Sequence, residues 1–139
     1  MIMQKKRKLI DTNLVIRFLS NDPPVQAEKV ERFINDACSN GEQLFLHDVC
    51  IAETVWVLEK VYKTTRPNIV ALLRDFFALP CITCVEPKLI DAALNAYANN
   101  NVDWIDAWLA AYSELHDNGE IFSFDRDFDK LTGIKRYEP

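Results

Sequence analysis

The sequence predicts an α/β domain with a mainly parallel central sheet of four to five strands flanked by helices. Three observations predict it. Short runs rich in β-branched and aromatic residues alternate with longer segments whose apolar residues recur at helical spacing. No two strand-like runs are joined by a two-residue hairpin turn, so neighbouring strands must be linked through helices. A chain of 139 residues with 49% hydrophobic and 27% charged residues fits one domain, residues 1–139, around one core.

The elements run in order. Residues from about Lys8 to Thr12 form the first strand, and NLVIRFLS continues as a short helix ending near the prolines 23 and 24. In VQAEKVERFINDACS, Val25, Val30, Phe33, Ile34 and Ala37 lie near helical spacing, with Gly41 just past the end. EQLFLH is the second strand. Asp48 is placed to cap the helix VCIAETVWVLEKVY, and Pro67 suits the first turn of NIVALLRDFFAL. CITCV is the third strand, followed by a helix opened by Pro87. After an asparagine loop at residues 99–101, DWIDAWLAAYSELHD forms an apolar helix that stops before Gly119. EIFSF is the fourth strand, DRDFDKLT a short helical turn and IKRYE a last edge strand.

The basic run Lys5-Lys6-Arg7-Lys8 precedes an apolar segment broken by Asp11 and Arg17, which fails both as a signal-peptide core and as a membrane span, so a cytoplasmic protein is expected. Cys38, Cys50, Cys81 and Cys84 are expected as free thiols, and the Cys81-x-x-Cys84 spacing as buried strand residues rather than a zinc or redox motif. A net charge of −5 argues against nucleic-acid binding by the surface as a whole, though not against a local basic rim or a metal.

Several carboxylates stand in apolar surroundings: Asp11 at the end of the first strand, Glu53 in CIAETVWVL, Asp106 in WIDAWLAAY and Asp125 after IFSF. Ionised side chains are rarely buried unless paired or metal-bound. Asp11, flanked by Leu9-Ile10 and Leu14-Val15, is expected to have little solvent to point into. Strand ends and the helix starts that follow them converge at one edge of a parallel sheet, which is where such folds bind ligands. Asp103 and Asp106 share a helix face, while Asp103 and Asp125 also suit capping roles and Asp106 shares a stripe with Ala110 and Ser113 that can face water. Carboxylates meeting without nearby His or Cys call for a hard cation, Mg²⁺ or Mn²⁺.

These residues, in this order, resemble the PIN-domain nucleases, and more narrowly the VapC-type toxins of bacterial toxin–antitoxin pairs, over nearly the whole chain. The resemblance rests on LIDTNLVIRFL with Asp11, IAETVWVL with Glu53, DAWLAA with Asp106 and IFSFDRDFDKL with Asp125 and Asp127. It implies a three-layer PIN-like fold and a Mg²⁺-dependent endoribonuclease that is restrained by a cognate antitoxin and dimerises. On that reading Asp11, Asp106 and Asp125 hold the metal, with Glu53 as a further ligand or orienter and Asp103 and Asp127 as candidates for a second metal or outer shell. Thr12, Asn13 and Ser123 would orient the carboxylates. Arg17, Lys60, Lys63, Arg66 and Arg126 are candidates for a basic rim that receives RNA, the three after Glu53 at near-helical spacing. Trp56, Trp104 and Trp108 are expected in core or dimer packing. The alternatives are a catalytically silent PIN-like RNA-binding or scaffold module, a haloacid-dehalogenase-like phosphatase, whose second aspartate is replaced by Asn13, and a phospho-acceptor receiver domain.

Overall fold

A computed structural model describes residues 7–139 and resolves them into two compact units, one ending at Val85 and the other spanning Glu86–Pro139. Lys5 and Lys6 of the basic run lie outside the described residues.

The first unit contains β1 (Arg7–Ile10), α1 (Thr12–Ser20), α2 (Pro24–Ser39), β2 (Gln43–Leu46), α3 (Asp48–Lys60), α4 (Arg66–Ala78) and β3 (Ile82–Cys84). Its strands pair in parallel in the order β1-β2-β3, with Ile10 opposite Leu46 and Leu46 opposite Cys84. Strand alternation sends Ile10, Leu44, Leu46, Ile82 and Cys84 into the core, while Leu9 on the other face is exposed. Val15, Ile34, Ile51, Leu58, Ile69 and Leu73 are fully buried from the helices, each such side chain contributing about 1.5–3 kcal/mol of transfer free energy. Prolines 24, 67 and 87 open their helices, where the missing N–H has no cost.

Two expectations are corrected here. The N-cap of α3 is His47, whose Nδ1 accepts from the Val49 N–H at 3.4 Å; Asp48 is already in the first turn. Cys38 and Cys81 are also joined in a disulfide, leaving Cys50 and Cys84 as the free thiols. The last turn of α2 and the residue before β3 bring their Cα atoms to 4.7 Å, well within bridging range.

The second unit contains α5 (Pro87–Asn99), α6 (Trp104–His116), β4 (Glu120–Phe122), a 3-10 turn (Arg126–Lys130) and β5 (Lys135–Tyr137). Helices α5 and α6 pack on each other, burying Leu89, Ala93, Leu94 and Tyr97 of the one and Trp104, Ala107 and Ala111 of the other, with the Tyr97 and Trp104 rings edge to face at 5.7 Å. Strands β4 and β5 pair in parallel. The expected strands are thus all present and every pairing among the described residues is parallel, hydrogen-bonded as a group of three and a pair.

The passage from α6 to β4 is held at two points. Ser113, buried in α6, donates its hydroxyl to the Glu120 carbonyl at 2.6 Å. Gly119 has φ +75°, and a Cβ there would overlap the carbonyl oxygen of Gly133. Gly119→Ala is therefore expected to lower the unfolding free energy by about 1–3 kcal/mol through strain and backbone displacement, measurable by urea denaturation; an unchanged midpoint would contradict the close approach.

Candidate metal centre

Two segments of the second unit supply the site, the start of α6 and the 3-10 turn after β4. Asp103 is the N-cap residue of α6 without a side-chain capping bond, and Asp106 lies in the first turn after it. Asp125 caps the 3-10 turn after β4, its Oδ1 accepting from the Asp127 N–H at 2.9 Å. Its own N–H donates to the Ser123 hydroxyl at 2.9 Å. Asp127 pairs through Oδ1 with the Lys130 ammonium at 3.0 Å, and Lys130 also donates to the Asn101 carbonyl at 3.2 Å.

One carboxylate oxygen from each of Asp106, Asp125 and Asp127 lies within 4.8 Å of the other two, and among the described residues this is the one group of three or more ligand-type side chains so closely spaced. Like charges at that separation repel by roughly 1 to 3.5 kcal/mol per pair at effective dielectrics between water and protein surface. The strain shows at Asp106: burial foremost, then the charges of Asp125, Asp103 and Asp127, raise its carboxyl above the ordinary aspartate range. Lys130 offsets part of the excess charge. An all-oxygen donor set of this kind is the chemistry of a hard divalent cation.

Arg136, which the sequence showed only as part of an edge strand, braces this site. Its Nη1 donates to the Ser123 carbonyl at 3.0 Å, so the residue that receives the Asp125 N–H is itself tethered. The guanidinium is fixed by Asp129 and Glu138, whose hydrogen bonds raise its pKa above the usual range. The signal available in the sequence was the basic residue opposite two acids, which many solvated surfaces share.

The remaining candidates divide between the units. Asp125 and Asp127 belong to the cluster, Asp127 beside Asp106 and Asp125 rather than apart from them, and Asp106 is half-buried because the stripe it shares with Ala110 and Ser113 faces the interior rather than water. Asp103 is exposed and acts on Asp106 through its charge. In the first unit, Asp11 is exposed, contrary to expectation: the strand ends at Ile10, and the carboxylate turns out to cap α1 by accepting from the Leu14 N–H at 3.0 Å. Glu53 is exposed on α3. Thr12 is buried and donates to the Cys50 carbonyl at 3.4 Å, tying α1 to α3 rather than orienting a carboxylate; Asn13 is exposed beside it.

Of the basic candidates, Arg17 donates to Gln26. Lys60 ends α3, Lys63 lies in the following turn with φ +54° and Arg66 starts α4, so the three do not share one helix face. Arg126 is exposed in the 3-10 turn. Trp104 is core, Trp56 is exposed, and Trp108 is half-buried and stacked on Tyr112 at 5.3 Å.

A family model described as PIN domain matches residues 8–134. The chain is 28% identical over 132 residues to a VapC ribonuclease of Aquifex aeolicus (strain VF5), covering 95% of this chain and 96% of that one. Among the described residues no helix is long and apolar enough to cross a membrane.

Proposed function

The chain belongs to the PIN domain family, and from that premise we propose that it is a single-domain, Mg²⁺- or Mn²⁺-dependent endoribonuclease acting as the toxin of a cytoplasmic toxin–antitoxin pair. The observation that carries the reading is the Asp106, Asp125 and Asp127 cluster, whose mutual repulsion a hard cation relieves. The similarity to a VapC ribonuclease supports RNA as substrate; a cognate antitoxin as partner and a homodimer as the working form belong to the same proposal. Family membership leaves the phosphatase and receiver readings without support.

Each cluster residue has a definite part. Asp125 and Asp127 would each give the cation a carboxylate oxygen, with the Asp127 N–H and the Lys130 ammonium fixing how those carboxylates lie. Asp106 supplies the third oxygen and Asp103 adds negative charge behind it. Asp11 and Glu53 are assigned to the same chemistry as further catalytic acids, on the motifs they occupy, with Thr12, Asn13 and Ser123 supporting. The cation, when bound, neutralises phosphate charge and acidifies water. A carboxylate of the site then takes the proton of the attacking water, and Arg17, Lys60, Lys63, Arg66 and Arg126 hold the flanking phosphates.

The test is cleavage of a structured RNA by purified protein. Activity is expected with Mg²⁺ or Mn²⁺ and none in excess EDTA, and Asp11→Asn should abolish it while keeping the fold, since Asn also caps helices well. Full cleavage in EDTA would overturn the metal-dependent reading. Expression without an antitoxin should halt growth; growth equal to that of the Asp11→Asn strain would remove the toxin role.

A further inference from the structure

We propose that the cleft beside Asp11 in the first unit is a nucleobase subsite, which receives a base of the bound RNA; the inference rests on the nuclease reading above. The cleft has a volume of about 540 Å³, and its lining includes Leu9, Leu14, Val49, Cys50, His47 and Asp11. That volume is in the range of small-molecule sites. Two of its wall residues, Leu9 and Val49, are 74% and 69% exposed, so the cleft offers apolar surface to solvent immediately beside a carboxylate.

The polar features at the cleft and on the adjoining sheet face are few and directional. His47 accepts at Nδ1 from the Val49 N–H, which places its ring proton on Nε2 as a hydrogen-bond donor. Leu9 pairs in register with Phe45, the Phe45 and His47 rings meet edge to face at 6.1 Å, and the Arg7 guanidinium sits 4.0 Å over the Phe45 ring. Arg7, Leu9, Phe45 and His47 therefore share one face of the sheet, and the Arg7 guanidinium reaches forward over Phe45, the residue paired with Leu9. A flat ring with hydrogen-bond acceptors on its edge, carried on a chain of phosphates, matches apolar walls, one N–H donor and a nearby guanidinium. The Asp11 carboxylate in the wall repels an acidic peptide and a phosphate alike, so the cleft suits the uncharged base of a nucleotide rather than its phosphate.

The experiment is a titration of the ¹⁵N-labelled full chain with each of the four nucleoside 5′-monophosphates and, separately, with ribose 5-phosphate. Saturable shifts are expected at the amides of Leu9, Leu14, Val49 and Cys50 with the nucleotides, and none at those amides with ribose 5-phosphate. His47→Ala should weaken nucleotide binding about threefold to tenfold, the effect of one hydrogen bond. Val49→Ser, at an exposed position, should weaken it by a similar factor without disturbing the fold. Equal shifts with ribose 5-phosphate, shifts confined to other amides, or shifts that follow protein concentration and so report a second copy would each overturn the subsite. RNA cleavage without base-dependent shifts overturns the subsite alone; base-dependent shifts in a protein that never cleaves RNA with Mg²⁺ or Mn²⁺ support the subsite and overturn the nuclease reading.

Discussion

Asp106→Asn is expected to make the metal-free protein more stable and, at the same time, to reduce metal-dependent RNA cleavage about 100-fold or more. The two effects have one origin. The carboxyl of Asp106 is raised by burial and by the charges of Asp125, Asp103 and Asp127, so its ionised form opposes folding at neutral pH. The sign comes from linkage. A carboxylate with a folded pKa above its unfolded value costs stability at higher pH, and the cost is relieved as pH falls through the raised folded pKa. Asparagine removes that cost at every pH, with a gain of about 1 kcal/mol once solvent screening of the partly exposed cluster is allowed for. Thermal melts in EDTA should show the variant above the parent at pH 7 and the difference shrinking in mild acid. Added Mg²⁺ or Mn²⁺ should stabilise the parent and not the variant. A variant that is less stable than the parent in EDTA would mean that the cluster is not electrostatically strained.

Reduction of the Cys38–Cys81 disulfide should produce the largest loss of stability. The bridge spans 43 residues of sequence, for which loop-closure entropy in the unfolded chain corresponds to about 4 kcal/mol. For a chain of this length that amounts to roughly 10 °C or more in the melting midpoint. Cys38→Ser should reproduce the effect without reductant, and thiol counting under denaturing conditions should find the two free groups of Cys50 and Cys84 before reduction and all four after it. Four thiols before reduction, or a midpoint unmoved by reductant, would contradict the bridge. Because Cys38 is partly exposed, a thiol reductant can reach the bridge in the folded protein.

Most of the fold could be read from the sequence because helix and strand periods, glycine stops and first-turn prolines agree with one another from end to end. The differences share a cause: spacing along the chain does not say which side chains meet in space. Asp11 comes after Leu9 and Ile10, yet only Ile10 points into the core, and the chain turns after it, so the carboxylate emerges into solvent as a cap. Asp48 had the better capping side chain on propensity, but His47 occupies the position where the chain enters the helix. The Asp106 stripe carries only small and polar residues, a pattern that fits either face of a helix, and the burial of Ala110 and Ser113 assigns it to the interior. The acidic cluster is partly legible, since Asp106, Asp125 and Asp127 all stand in motifs visible in the sequence. Lys130 and Arg136, which set its charge and its backbone, act through side chains whose partners no spacing rule identifies.

The tie between α2 and β3 closes a ring of chain that contains β2, α3 and α4. The turn between α3 and α4 carries exposed Lys60 and Lys63, an opening for trypsin. A cut there would leave two fragments that travel together on a non-reducing gel and part only when thiol is added.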